Sequence, residues 1–596
     1  MHYSELASVY EALEKTTKRL EKTEILSEFF KKTKTCNEEH AKEIAYLVKG
    51  KIYPDWEESE IGISSQLTIK AISKATGLSE EHIVKEWRKI GDLGKVAEES
   101  TKKKKQSTLF SGKLTTQRVV ENLRKASKLQ GHGTVDRKLS LVAELLTMTE
   151  PLEARYIVRT LLEELRIGVA DGTIRDAIVW ACFGREIGIK YNKEKNDIDL
   201  DEKCREKYEH YLKVVQDAYD RANDFGVVLE SAFAGQAALK KIELEVGRPV
   251  KVELCKKVDS IKEGFERVGK PADIELKYDG FRMLIHKTSD GKIIIFTRRL
   301  DNVTKQFPEV ERYVKQHVDA KSFILDGEAV GFNPKTHKYK QFQDISQRIR
   351  RKYDIEKLEK ELPIELNIFD IIDYNGKDMI DKPLLERRKL LEKIIKPLKW
   401  KIKLAENLIT DDEKKAEQFY KNALKDGMEG VVMKNINSKY EPGARVDTWV
   451  KFKPVAEPLD LVITGAEYGK GKRAGWFSSF ILSCRGDGKF LEIGKVGTGV
   501  KEKSSEGLSF EELTNLIKPL ITHHSGTQVT IKPKIMVEVA YQEIQISPTY
   551  ESGYALRFPR IIKLREDQGL HDVRSLEEIK EAFKKQGAKK LKWEVG

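Results

Sequence analysis

The segment Glu275-Leu-Lys277-Tyr-Asp279-Gly280-Phe-Arg282 carries more chemistry than its length suggests. Alternate residues of a strand share a face, so Glu275, Lys277 and Asp279 are expected to project together, with the lysine between two carboxylates. Gly280 then permits a bend that brings backbone close to a ligand. A lysine amine can act as a nucleophile only when neutral. Free lysine titrates at about 10.4, so neighbouring cations, desolvation or a metal must lower that value. An edge strand with a solvated charged face would read the same way over these eight residues. Four more segments place functional groups on or beside apolar strands: Leu325-Asp326-Gly327-Glu328, Ile368-Phe369-Asp370, Glu429-Gly430-Val-Val-Met-Lys434 and Trp449-Val450-Lys451-Phe452-Lys453. Glu328 and Glu429 offer hard oxygen donors suited to a divalent cation. Lys451 and Lys453, two apart on one strand, share a face where they can neutralise charge building on a phosphate.

Other motifs fail. Gly264 to Lys270 matches the first seven positions of a phosphate-binding P-loop, but Pro271 stands where the metal-binding hydroxyl belongs, and a strand follows instead of a helix. The glycines of Gly469-Lys-Gly471 and Gly497-Thr-Gly499 do not complete GxGxxG, no HExxH occurs, and His523-His524 reads as a surface pair. The five cysteines are scattered without a CxxC pair, which fits a reducing compartment and speaks against a disulfide framework or a structural zinc site.

Three kinds of sequence must position these residues. Up to about residue 240 apolar side chains recur at helical spacing, with one polar break at 95–115 that carries Lys102 to Lys105. That break reads either as a solvated loop or as a phosphate-contacting one. From about 240 strands alternate with helices: an Asp290-Gly291 hairpin, an Asn375-Gly376 turn, Pro308 at a first helical position and a capping box at Thr410–Glu413. Most of these strands are expected to be antiparallel. Beyond Pro454 and Pro458 short strands with glycine-rich turns suggest a small barrel, closed by a helix that Ser575 and Glu578 cap.

The 596 residues are 39% apolar, which excludes wholesale disorder, and 34% charged. Lysine and arginine exceed the acids by 109 − 96 = +13, so a polyanionic partner is expected. The N-terminus lacks the apolar core of a signal peptide, and no run reaches the ~18 apolar residues of a membrane span.

Taken in order, the five segments resemble the covalent nucleotidyltransferase superfamily, whose lysine motif is KxDG. Within it the sequence is similar to ATP-dependent DNA ligases of the archaeal and eukaryotic replicative type. The resemblance covers nearly the whole chain. It takes in Arg298-Arg299, the stretch Leu165-Arg166-Ile-Gly-Val-Ala-Asp171-Gly172 and the ending Arg557-Phe-Pro-Arg560-Ile-Ile-Lys563-Leu-Arg565-Glu-Asp567. It implies a multidomain chain: an all-α DNA-binding domain at 1–238, an α+β nucleotidyltransferase (adenylation) domain at 239–455, and an OB-fold β-barrel with a C-terminal helix at 456–596. It also implies sealing of 3′-hydroxyl/5′-phosphate nicks through a lysyl-AMP and an adenylylated DNA, in replication, repair, recombination and cell division.

On this resemblance Lys277 is the nucleophile toward ATP. Glu275, Arg282, Arg298, Glu328, Phe369, Arg445, Lys451 and Lys453 bind the nucleotide or phosphates, and Glu328 and Glu429 hold Mg²⁺ or Mn²⁺. By itself Phe369 would read as a core aromatic. Arg557, Arg560, Lys563 and Arg565 would orient pyrophosphate in the first step, while Arg166 and Arg299 would contact DNA. The implied partners are nicked duplex DNA and a sliding clamp, with no membrane, for a monomer in the cytoplasm, or in the nucleus if the source is eukaryotic. RNA ligases and capping guanylyltransferases share KxDG, but the long helical region and the RFPR ending favour DNA joining. A catalytically dead nucleic-acid clamp is the rival from another class, against which an intact Lys277 argues. NAD-dependent ligases carry a four-cysteine zinc site that the cysteine spacing excludes.

Overall fold

Helix Tyr3–Lys15 shows why the first third of the chain folds as it does: Tyr3, Leu6, Ala7, Tyr10 and Leu13 fall on one face, and all are buried. The same spacing builds helices up to Gln236–Leu239, and among the described residues the one strand pair there is a two-residue hairpin joining Tyr191–Asn192 to Asp197–Ile198. The computed structural model describes residues 1–588 apart from 35–37, 58, 60, 105–112, 130, 132, 341, 352, 455, 470–472, 474 and 503. The chain divides into two compact units. One holds Met1–Lys256, Asp279–Glu406 and Lys434–Trp449; the other holds Lys257–Tyr278, Asn407–Met433 and Val450–Gly596.

The polar break expected at 95–115 is partly helix. Helix Leu93–Lys102 starts on Asp92, whose side chain accepts from the amides of Gly94 and Lys95, and it buries Leu93, Val96 and Ala97. Those three apolar residues supply one helical face, which outweighs the polar run behind them. Lys102 pairs with Glu98 and Glu99 of its own helix, and Lys104 Nζ donates to the Leu146 carbonyl at 3.1 Å. Lys105 lies outside the described residues.

In the first unit, strands run in the order Ile402–Leu404, Ile364–Tyr374, Phe323–Gly331, Phe281–Lys287 and Ile293–Thr297. All neighbours are antiparallel except Ile402–Leu404, which runs parallel to Ile364–Tyr374. The Asp290-Gly291 and Asn375-Gly376 turns form as expected, and Pro308 opens helix Pro308–His317. A second sheet follows the order Asn407–Thr410, Ala272–Lys277, Gly430–Asn435, Arg445–Phe452 and Leu254–Val258. Helix Glu413–Lys425 is capped by Asp412 rather than Thr410. The reason is that Thr410 ends a strand and pairs with Ala272, so its backbone is already committed. Gly264 lies inside helix Ile261–Val268, which disposes of the P-loop.

Residues beyond Phe452 form an antiparallel barrel. Its strands run Phe490–Val496, Phe477–Arg485, Leu459–Tyr468 and Gln528–Ala540, and both Ile521–Ser525 and Arg560–Leu564 pair with the last. The Ile561 amide donates to the Thr498 carbonyl at 3.0 Å, joining the final strand to the chain just past the first. The C-terminal helix Leu576–Ala588 has the expected cap, with Glu578 and Ser575 bonded reciprocally. Among the described residues the cysteines are unpaired, and no helix is long and apolar enough to cross a membrane.

Candidate active site

Lys277 is the last residue of strand Ala272–Lys277. Asp279 therefore falls beyond the strand, in the bend before Phe281–Lys287, and does not continue the alternating face expected of it. The turn begins one residue earlier than the pattern suggests. Glu275, two residues back along the strand, is buried.

The second unit gathers a group of charges around Lys277. Its Nζ lies 2.6 Å from Glu429 Oε2, and the Glu429 amide donates to the Lys277 carbonyl at 2.8 Å. Side chain and backbone thus register the two segments together. Gly430 (φ +147°) makes the next approach possible, because a Cβ there would sit 2.2 Å from the Phe452 carbonyl oxygen and 3.0 Å from the Lys453 Cα. Only glycine lets the Glu429 segment reach the strand that bears Lys451 and Lys453. Burial works to raise the Glu429 carboxyl, but Lys277, Lys453 and Arg557 outweigh it and hold the group below the usual carboxylate range. Burial also pushes the Lys453 ammonium down; the cations of Lys277, Lys451 and Arg557 add to that push against the opposing pull of Glu429. Several cations thus surround one half-buried carboxylate beside an amine, a setting that suits a polyphosphate.

The first unit gathers a second group. A Cβ on Gly280 would sit 2.3 Å from the Ala329 carbonyl oxygen and 3.0 Å from Glu328 Cγ, so the glycine brings this backbone against the Glu328 strand. Arg282 lies opposite Glu328 in register. Its guanidinium forks onto Asp326, Nε to Oδ1 at 2.8 Å and Nη2 to Oδ2 at 2.5 Å, and Nη1 donates to the Glu253 carbonyl. The Tyr440 hydroxyl donates to Asp326 Oδ2 at 2.8 Å. Phe369 is half-buried, with the Arg282 guanidinium 5.2 Å from its ring centroid and Lys434 Nζ at 4.7 Å. Lys434 also lies 4.1 Å from the Trp449 ring centroid. Behind them Arg387 forks onto Asp370 at 2.7 and 2.9 Å, with both side chains buried.

The remaining expected residues are dispersed. Arg298, Arg299 and Arg445 are exposed, and Arg299 lines a cleft of about 400 Å³ with segment 50–57. Arg166, in the left-handed region at φ +58°, donates to the Gly91 carbonyl at 3.3 Å and pairs with Asp92 and Glu164. In the barrel Arg557 bonds Glu543 at 2.8 Å, whereas Arg560 is exposed. Lys563 is exposed 3.4 Å from Glu538, and Arg565 is held by Asp460 at 2.8 Å and Asp567 at 3.0 Å. Among the described residues no three His, Cys, Asp or Glu side chains come together as a metal cluster.

Sequence reasoning passed over Glu253, Tyr440 and Arg387, and gave no role to Asp326, Asp370 or Lys434. Glu253 is fully buried; its Oε2 accepts the Glu441 amide at 3.0 Å, and Oε1 has no hydrogen-bond partner among the described residues. Burial, with Asp370 adding to it, pushes this carboxyl up to about 8 against Arg282 and Arg387. One signal was readable: charged residues at inward positions of apolar strands, Asp326 in FILDGEAV and Asp370 in NIFDII, need a buried partner.

Three family models match the chain: DNA ligase N terminus over residues 2–179, ATP dependent DNA ligase domain over 252–453, and ATP dependent DNA ligase C terminal region over 473–568. A DNA ligase of Nanoarchaeum equitans is 43% identical over 591 residues, 98% of this chain and 99% of its own length. One from Thermococcus fumicolans is 39% identical over 586 residues, 98% of each chain. A solved structure described as "Pmar-Lig_Pre." covers 94% of this chain and 99% of its own at TM-score 0.52 and 17% identity, a likeness of fold.

Proposed function

Because the chain belongs to the ATP-dependent DNA ligases, which join nicks through an AMP-carrying lysine, we propose that Lys277 is that lysine. The enzyme seals 3′-hydroxyl/5′-phosphate nicks in duplex DNA in three transfers. An amine attacks the α-phosphorus of ATP; a P–N bond forms and pyrophosphate leaves. A DNA 5′-phosphate oxygen then attacks that phosphorus, the P–N bond breaks, and the amine is restored. Finally the 3′-oxygen attacks the activated 5′-phosphorus and AMP leaves.

The observation that carries the assignment is the Lys277–Glu429 pair at 2.6 Å among the cations of Lys451, Lys453 and Arg557. Attack requires a neutral amine free to approach phosphorus, so the pair with Glu429 marks a resting arrangement. Lys451 and Lys453 neutralise charge on the α-phosphate. Glu275, Arg282, Arg298, Glu328, Phe369 and Arg445 hold the nucleotide, with the Phe369 ring against adenine. Arg557, Arg560 and Lys563 act on pyrophosphate; Arg565, already spent on Asp460 and Asp567, contributes least.

Glu429, a half-buried carboxylate kept ionised, has the donor chemistry for Mg²⁺ or Mn²⁺, and Glu328 is the second candidate. With no three-residue cluster among the described residues, such an ion would take most of its oxygens from phosphate and water. When bound it would supply charge neutralisation at the phosphates.

The domains follow as 1–238 for DNA binding, with Arg166 and Arg299 on the backbone, 239–455 for adenylation and 456–596 for the barrel. The protein works as a monomer in the cytoplasm, with a sliding clamp as partner. Lys277→Ala tests the core of this reading. It should lose all AMP labelling from ATP while still sealing some pre-adenylylated nick, and Lys277→Arg should fail likewise because its guanidinium stays protonated. Normal labelling of Lys277→Ala would end the assignment.

A further inference from the structure

Two surface segments of the first unit carry charge that the reaction above does not use. Segment 333–340 reads Asn-Pro-Lys-Thr-His-Lys-Tyr-Lys, and segment 396–403 reads Lys-Pro-Leu-Lys-Trp-Lys-Ile-Lys. These sixteen residues hold seven lysines and no acid, so they contribute +7 to a chain whose net charge is +13. The surplus that pointed to a polyanionic partner is concentrated here.

The fold brings the two segments together. The Trp400 ring lies 4.9 Å from Phe332, 5.1 Å from His337 and 5.6 Å from Tyr339, centroid to centroid. Phe332 and Tyr339 face each other across a β-bridge, and Lys403 Nζ donates to the Tyr339 hydroxyl at 3.1 Å. Beneath this aromatic floor the buried Glu365 accepts from the Trp400 amide at 2.7 Å and from the Tyr339 hydroxyl, with Lys403 Nζ at 3.4 Å. That acid is engaged inward. Lys335, Lys338, Lys396, Lys399 and Lys401 are exposed on the outside. Elsewhere on this chain exposed lysines alternate with acids in helical pairs, such as Lys315 with Glu311 and Lys31 with Glu28. Neither segment contains an acid of its own, and like charges gathered on one floor repel, which a polyanion set against them relieves.

We propose that this lysine platform is a binding surface for the sugar–phosphate backbone of the duplex beside the nick. Lysine is a compact point charge that contacts phosphates without the fixed fork that reads base edges, so the platform would add affinity without sequence preference. The inference rests on the DNA-joining activity and adds a site to it. An acidic protein surface is the other kind of partner such a patch could take, and the experiment separates the two.

The full chain is compared with two fourfold variants, Lys335→Ala/Lys338→Ala/Lys399→Ala/Lys401→Ala and the same positions changed to Arg. Binding to nicked duplex is measured across a salt series, and self-adenylylation from ATP in parallel. Each lost phosphate contact removes about 0.9 from the slope of log K against log salt, so the Ala variant should lose about 3 to 4 and bind at least about tenfold more weakly at moderate salt. The Arg variant should keep both slope and affinity, and self-adenylylation should be unchanged in all three proteins. An unchanged slope in the Ala variant would overturn the proposal and leave the acidic protein as occupant. A loss of binding or adenylylation that Arg does not restore would also overturn it, because these positions would then support the fold. Absence of adenylylation in the unaltered chain would instead count against the Lys277 reading.

Discussion

Glu253→Gln should make the protein more stable at high pH and nearly neutral at low pH. The Glu253 carboxyl is fully buried, keeps only the Glu441 amide on Oε2, and is pushed up to about 8 from an ordinary 4.5. A group whose folded-state value is raised binds its proton more tightly when folded. Its contribution to stability is complete below the unfolded value and is lost as pH rises toward the folded one. Between about 4.5 and 8 the folded chain holds a proton that the unfolded chain has released, so stability falls with pH through that window. A shift of 3.5 units at about 1.36 kcal/mol per unit gives a loss of about 3 to 4 kcal/mol between pH 5 and pH 8. Glutamine keeps the acceptor for Glu441 and cannot ionise, so the variant escapes this loss. Calorimetric melting of wild type and variant at pH 5 and pH 8 measures the difference. At about 2 °C or more per kcal/mol, the gap at pH 8 should exceed the gap at pH 5 by about 6 °C. A gap that did not change with pH would show that Glu253 is ionised in the folded protein, and the reasoning from burial would be wrong.

Tyr440→Phe removes the hydroxyl from Asp326 and loosens the fork that aims Arg282, a hydrogen bond to a charged group worth about 1.5–3 kcal/mol. If Arg282 grips the nucleotide, KM for ATP in self-adenylylation should rise about tenfold, and sealing of a pre-adenylylated nick should change little. Arg557→Ala should slow adenylylation by about 10²-fold, as loss of preorganised charge stabilisation does, and spare the later steps. Single-turnover rates with ATP and with the activated nick measure this split, and equal losses in both would assign Arg557 to the fold or to DNA instead.

Much of the candidate site's geometry was legible because it is local. An acid next to a glycine, as in Asp279-Gly280 and Glu429-Gly430, records a close approach of backbone: a Cβ on either glycine would sit 2.3 or 2.2 Å from a carbonyl oxygen. The helical third, the hairpin at Asp290-Gly291 and the cap at Ser575 were readable for the same reason. The buried polar layer was not. Tyr440 meets Asp326 across 114 residues and Arg387 meets Asp370 across 17, and no spacing rule in one sequence pairs them. Boundaries failed where two local signals competed. The polar run after residue 95 hid a helix nucleated by Leu93, Val96 and Ala97, and Thr410 has a cap's sequence but a strand's position.

The most direct measurement locates the AMP. The full chain is incubated with ATP and Mg²⁺, digested, and the adduct mapped by tandem mass spectrometry. A single AMP on the lysine of the Glu275-Leu-Lys277-Tyr-Asp279-Gly280 peptide is the predicted result. AMP on Lys451, Lys453 or any other lysine, with Lys277 unmodified, would contradict the account.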